Sequence, residues 1–131
     1  MFLFNASGQI YVQRRSTSKD RHPLRLDSSA AGHVDPGESY ETTAARELAE
    51  ELGISTPVIK VLWIKASAAT DNEHVALFRG STDAEPVPDP DEVLSGGFMS
   101  PVDLTKLMEE QSEDFVPAFI MLWREFLRRN T

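Results

Sequence analysis

Apolar positions along the chain change period several times, and each change marks an element. "FLFN" (Phe2–Asn5) and "QIYVQR" (Gln9–Arg14) are short apolar or alternating runs around "ASG", which predicts two strands joined by a tight turn. At about 100° per residue, Ala45, Leu48, Ala49 and Leu52 fall on one face, predicting a helix over Tyr40–Leu52. Ser39 can cap its start and Gly53 can end it as the C′ residue. Glu47, Glu50 and Glu51 are assigned to the opposite, polar face. "PVIKVLWIKA" (Pro57–Ala66) and "HVALFRG" (His74–Gly80) read as strands. Ser100, Pro101 and Asp103 announce another helix through a cap, a proline at its first position and an acid at its third. Phe115, Phe119, Leu122 and Phe126 recur at helical spacing in a last helix, with Arg128 and Arg129 suited to its C-terminus. Residues 15–37 and the acidic, proline-rich 81–97 read as long loops. No repeat or second domain interrupts this order, so one domain over residues 1–131 is expected.

Composition narrows the chemistry. Cysteine is absent, which excludes disulfides, zinc–thiolate sites and thiol nucleophiles. The net charge of −8 makes nucleic acid an unexpected partner, because phosphates are repelled on average. No run of apolar residues is long enough to span a bilayer and no signal pattern opens the chain, so a cytoplasmic protein without a membrane partner is expected. Basic residues nonetheless cluster locally: "QRRSTSKDRHPLRLD" carries Arg14, Arg15, Lys19, Arg21 and Arg25. That stretch can meet an anionic ligand.

The helix after Ser39 is unusually acidic. Arg46 and Glu50 are four apart and can pair, but Glu47 and Glu51 are also four apart and repel by a similar few tenths of a kcal/mol. A helix shaped only for solubility would interleave lysines, and this one has none. Oxygen ligands from successive turns can instead converge on a hard divalent cation such as Mg2+, which favours carboxylates, waters and phosphate oxygens. The triad alone fits many ordinary helices.

The surrounding pattern is far more specific. Gly32, then Glu38, Arg46-Glu47, aliphatic Leu48, Glu50-Glu51, Gly53 and aliphatic Ile54 match the Nudix box without gap or substitution. At roughly one in fifteen per fixed residue type, such a match arises by chance on the order of once in a hundred million start positions. The chain therefore resembles the Nudix hydrolase superfamily. The resemblance implies an α/β/α sandwich with a mixed central sheet and hydrolysis of a diphosphate, often nucleoside-linked, with Mg2+ or Mn2+. By position, Glu47, Glu50 and Glu51 would be the metal carboxylates, and the carbonyl of Ala31 or Gly32 would complete the shell. Glu38, with Gly32 and Gly53, would hold the loop–helix geometry, and Arg46 would orient a neighbouring glutamate. Glu47 is a candidate base for the attacking water, and Glu92 matches the place of a downstream acid that assists in relatives. A solvated loop acid is an equally good reading of Glu92.

A closer likeness sharpens the choice of reaction. "LFNASGQIYVQRRSTSKDRHP", "DSSAAGHVDPGES" and "DNEHVALF" resemble the isopentenyl-diphosphate isomerase branch. In that branch the positions of Arg15 and Lys19 contact substrate diphosphate, and those of His33, Asp71 and Glu73 lie in the metal site. Two departures count against isomerisation. The branch places a reactive cysteine where Ala31 stands here, and it draws histidine ligands from a segment upstream of the position of Met1. An isomerase-like architecture carrying hydrolase chemistry is the expectation, with a small diphosphate compound as substrate. Isomerase-like activity and a silent ligand-binding module are the alternatives. Superfamily members are often dimers, which leaves a homodimer open. Trp63, Trp123 and the C-terminal Phe stripe read as core or dimer contacts rather than base-stacking platforms.

Overall fold

The computed structural model of the chain describes residues 1–19, 21–31, 36–70 and 72–130. Its elements run β1 (Phe2–Phe4), β2 (Ile10–Arg15), β3 (Leu26–Asp27), α1 (Tyr40–Leu52), β4 (Ile59–Ile64), β5 (Val75–Ser81), β6 (Val93–Met99), α2 (Pro101–Glu110) and α3 (Pro117–Arg129). The turn between β1 and β2 is tight because Asn5 Oδ1 accepts from Ser7 N and Gln9 N, while Gly8 takes a positive φ of 76°.

Six strands form one mixed sheet. β6 pairs along β2 from Ile10 to Arg15, and the other edge of β2 is shared by β1 at Ile10 and β3 at Gln13–Arg14. β1 and β5 run parallel, and β4 closes the sheet antiparallel to β5. Period-two alternation sorts the side chains into two cores. Phe2, Phe4, Ile10, Val12 and Leu77 face α2 and α3, where they meet Leu104, Phe119, Trp123 and Phe126. Leu3, Tyr11 and Phe78 face α1, where they meet Leu48 and Leu52. The result is the expected α/β/α sandwich.

Three expectations need correction. The 15–37 loop contains a short strand, β3, which its polar flanks hide. The 81–97 loop ends in β6, because Gly96 and Gly97 punctuate by composition but pair with Gln13 and Val12 here. A side chain at Gly96 would place its Cβ 2.4 Å from the Tyr11 hydroxyl, so this glycine admits the neighbouring ring. The buried stripe of α1 is also rotated from the predicted one. Glu51 is buried with Leu48 and Leu52, whereas Ala45 and Ala49 are exposed. Trp123 and the Phe stripe are core, but Trp63 is 46 % exposed and is not.

Candidate functional site

Both ends of α1 are built as the sequence predicts. Ser39 Oγ accepts from Thr42 N at 3.1 Å, and Gly53, left-handed at φ 65°, returns its N–H to Ala49 and Leu48 carbonyls. Arg46 sits between the loop and the acids. Its Nε and Nη2 donate to the two carboxylate oxygens of Glu38 at 2.8 and 2.9 Å, a bidentate clamp. Its Nη1 donates to Glu47 at 2.9 Å and to Glu50 at 3.2 Å. Thr43 Oγ1 also donates to Glu38, at 3.0 Å. One guanidinium thus holds three glutamates around it.

Glu51 is turned the other way. At 2 % exposure it accepts from Ala31 N at 3.1 Å and from Gln13 Nε2 at 3.2 Å. Burial, followed by a hydrogen bond and charge repulsion from Glu47, pushes its carboxyl up to about 8. Gln13 also donates to Ser29 O at 3.3 Å, and its Oε1 is buried with no partner among the described residues. Sequence reasoning missed Gln13. The available signal was a polar residue at an inward phase of β2, two positions after Tyr11.

The basic loop lies close by. Arg15 Nη1 pairs with Asp27 at 2.9 Å and its Nε donates to Arg21 O at 3.0 Å. Lys19 pairs with Glu92, and Arg21 with Glu73 at 3.3 Å. Ser16 and Ser18 both donate to Asp91 O at 2.9 Å, which straps this loop to the segment before β6. A cavity of about 790 Å³ opens beside these groups, and Arg15, Lys19, Ala31 and Glu47 line it. Glu50, Glu51 and Glu92 do not line it; Glu92 meets the site through Lys19. Gly32, His33 and Asp71 lie outside the described residues. Among the described residues, no three acids or histidines are already gathered as a metal cage.

The residues nevertheless fit a divalent cation. Glu47 and Glu51 bring two carboxyl groups together and raise the proton affinity of Glu51, and Gln13, which donates to Glu51, carries a buried amide oxygen with no partner among the described residues. A cation relieves that repulsion and gives the oxygens a common ligand.

Comparison with known proteins decides the lineage. The NUDIX domain family matches residues 1–119. The chain belongs to the Nudix family. It is 34% identical over 128 residues to an isopentenyl-diphosphate Delta-isomerase of Streptomyces coelicolor, covering 92% of this chain and 64% of the relative. It is 32% identical to a Nudix hydrolase of Deinococcus radiodurans, covering 79% of this chain and 62% of the relative. This Nudix domain thus spans less than two thirds of either protein. The crystal structure of DR0079 from Deinococcus radiodurans superposes with a TM-score of 0.84 at 28% identity, covering 95% of this chain and 78% of that one. Among the described residues, no helix is long and apolar enough to cross a membrane.

Proposed function

We propose that this Nudix domain is a pyrophosphohydrolase that cleaves a diphosphate linkage in a small, nucleoside-linked compound. The observation that carries the reading is the position of Glu47. It lines the cavity, stands close enough to buried Glu51 to raise that carboxyl's pKa, and is held by Arg46. Glu47, Glu50 and Glu51, with the carbonyl of Ala31 or Gly32, would hold Mg2+ or Mn2+. When bound, the metal supplies charge neutralisation to the diphosphate and acidity to the attacking water.

The rest falls to the chain's own side chains. Arg15 and Lys19 present cations to the phosphates, although each already rests on an acid. Those acids hold the two cations at the cavity wall, and a phosphate would have to share each cation with its carboxylate rather than strip it away, because Asp27 is buried. Glu47 is the base best placed to take the proton of the water as its oxygen bonds to phosphorus. The bridging P–O bond breaks in the same displacement, and the leaving phosphate carries away the electron pair. Arg46 keeps Glu47 pointed at the cavity and, through Glu38, ties it to the loop before α1. Glu92 acts through Lys19 by setting where that ammonium rests.

The isomerase relative favours a second reading, allylic isomerisation of an alkyl diphosphate. Against it, the chain offers no thiol, and Ala31 stands where the isomerase branch places its cysteine. A panel of nucleoside di- and triphosphates, nucleotide sugars and isopentenyl diphosphate, assayed with Mg2+ or Mn2+ for released phosphate, pyrophosphate or nucleoside monophosphate, separates the readings. Turnover of a nucleoside-linked diphosphate is expected. Proton exchange into isopentenyl diphosphate without hydrolysis would replace hydrolase by isomerase, and tight binding without turnover would leave a ligand-binding module.

A further inference from the structure

The cavity is larger than a diphosphate requires, and its lining changes character from one part to another. Arg15, Lys19 and Glu47 mark the charged part, whereas Tyr40, Ala44, Ala76 and His74 mark another. A volume of about 790 Å³ suits a ligand with a second moiety beyond its phosphates.

Trp63 on β4 stands opposite Ala76 of β5, so the two side chains share the sheet face that carries α1. The residue stays 46 % exposed, an arrangement that core packing does not account for. The indole instead stacks on His74, with centroids 4.9 Å apart and planes 26° from parallel. His74 Nδ1 accepts from Ala66 N at 3.0 Å. That bond fixes the rotation of the imidazole and places its proton on Nε2. His74 therefore has one face covered by Trp63 and one edge pinned by backbone, and the residue is part of the cavity lining. Tyr40, 45 % exposed in the first turn of α1, adds a second aromatic to the lining.

A ring held this way is preorganised for a flat partner. Stacking gains little from a ring that must first be immobilised, and here the Trp63 stack and the Ala66 bond already restrict the ring before any ligand arrives. We infer that His74, positioned by Trp63 and Ala66, is the platform on which this domain stacks the planar base of a nucleoside diphosphate. The inference rests on the proposed hydrolase reading and assigns the residues that select its leaving group. Nε2–H adds a donor for an acceptor on the base or ribose. The competing occupant is an alkyl chain lying on Val116, Phe119 and Leu122, which line the cavity from the α3 side.

Equilibrium binding of non-hydrolysable probes tests this without turnover. The methylene-bridged analogue of ADP, a methylene-bridged alkyl diphosphate and methylenediphosphonate are titrated with Mg2+, by calorimetry and tryptophan emission. The ADP analogue is expected to bind best and to quench emission through Trp63, since Trp123 is buried. His74→Ala should weaken the ADP analogue about tenfold, the loss of one stacking partner, while changing methylenediphosphonate less than twofold. Trp63→Phe should retain the affinity, whereas Trp63→Leu should lose it. Equal weakening of every probe in His74→Ala, stronger binding of the alkyl analogue, or no binding of the ADP analogue overturns the platform. Its failure is distinct from that of the hydrolase reading. Turnover with binding independent of His74 would remove the platform alone, whereas binding dependent on His74 without turnover of any diphosphate would remove the hydrolase.

Discussion

Glu51 is buried against a second acid, and both of its carboxylate oxygens already have donors. Glu51→Gln keeps the volume and can still accept from Ala31 N, but it removes the charge that a cation requires. Steady-state assays with Mg2+ should show kcat lowered at least about a hundredfold with an unchanged circular-dichroism spectrum. Wild-type rates would detach this helix from the chemistry. In the metal-free protein the same residue makes stability depend on pH. Its folded-state pKa of about 8 lies above the ordinary 4.5, so its contribution is fully present below 4.5 and is lost as pH rises through 8. Melts in EDTA should show wild type losing on the order of 5 °C relative to Glu51→Gln between pH 5 and pH 8.5. Parallel curves would contradict the burial argument. The box residues Glu38, Arg46, Glu47, Glu50 and Gly53 were legible in the sequence, because their types and spacing are fixed by one local loop and helix. Gln13, Ser29 and Asp27 were not. They reach the site from β2, β3 and the residues just after β3, and only long-range pairing brings them there.

At the scale of elements, α1 is held by side chains on both sides of its first turns. Arg46 reads Glu38 with a two-pronged fork while a third nitrogen reaches Glu47 and Glu50. A lysine ammonium cannot reproduce that planar geometry. Arg46→Lys should therefore cut kcat/KM about tenfold or more, the usual cost of losing a partner that orients a metal ligand. An assay matching wild type would reduce Arg46 to a surface cation. β6 carries a different constraint. Gly96→Ala forces its Cβ to within 2.6 Å of ring carbons of Tyr11, which is buried and packed edge-on to Phe98 at 5.3 Å. The ring has little room to retreat, so urea titration should show a loss of about 1–3 kcal/mol. The helices were easier to read than the sheet for the same reason that these two tests differ. Caps and 3.6-residue periodicity are local, whereas β3 is short and β6 hides behind "SGG", so partner strands define both.

For the molecule as a whole, charge sets how a ligand is held. The net charge is −8, and Arg15, Lys19 and Arg21 at the cavity each already touch an acid. A diphosphate entering alone would meet cations that are largely spent and carboxylates that repel it. A divalent ion entering alone would find Glu47 and Glu50 engaged by Arg46. Each ligand supplies the charge that the other lacks, so their binding should be cooperative, and that coupling is reciprocal by linkage. Thermal-shift measurements with Mg2+ alone, the methylene-bridged ADP analogue alone, and both together read this directly. The separate shifts should be small and their combination clearly larger than their sum. A ligand at a hundred times its Kd stabilises by about 2.7 kcal/mol, which is several degrees for a domain of this size. Replacing Glu47 by Gln should return the combined shift towards the sum of the separate ones, because the acid that lines the cavity joins the two ligands. Additive shifts in wild type would mean that cation and diphosphate occupy independent places, and a metal-bridged reaction at α1 would no longer follow from this fold.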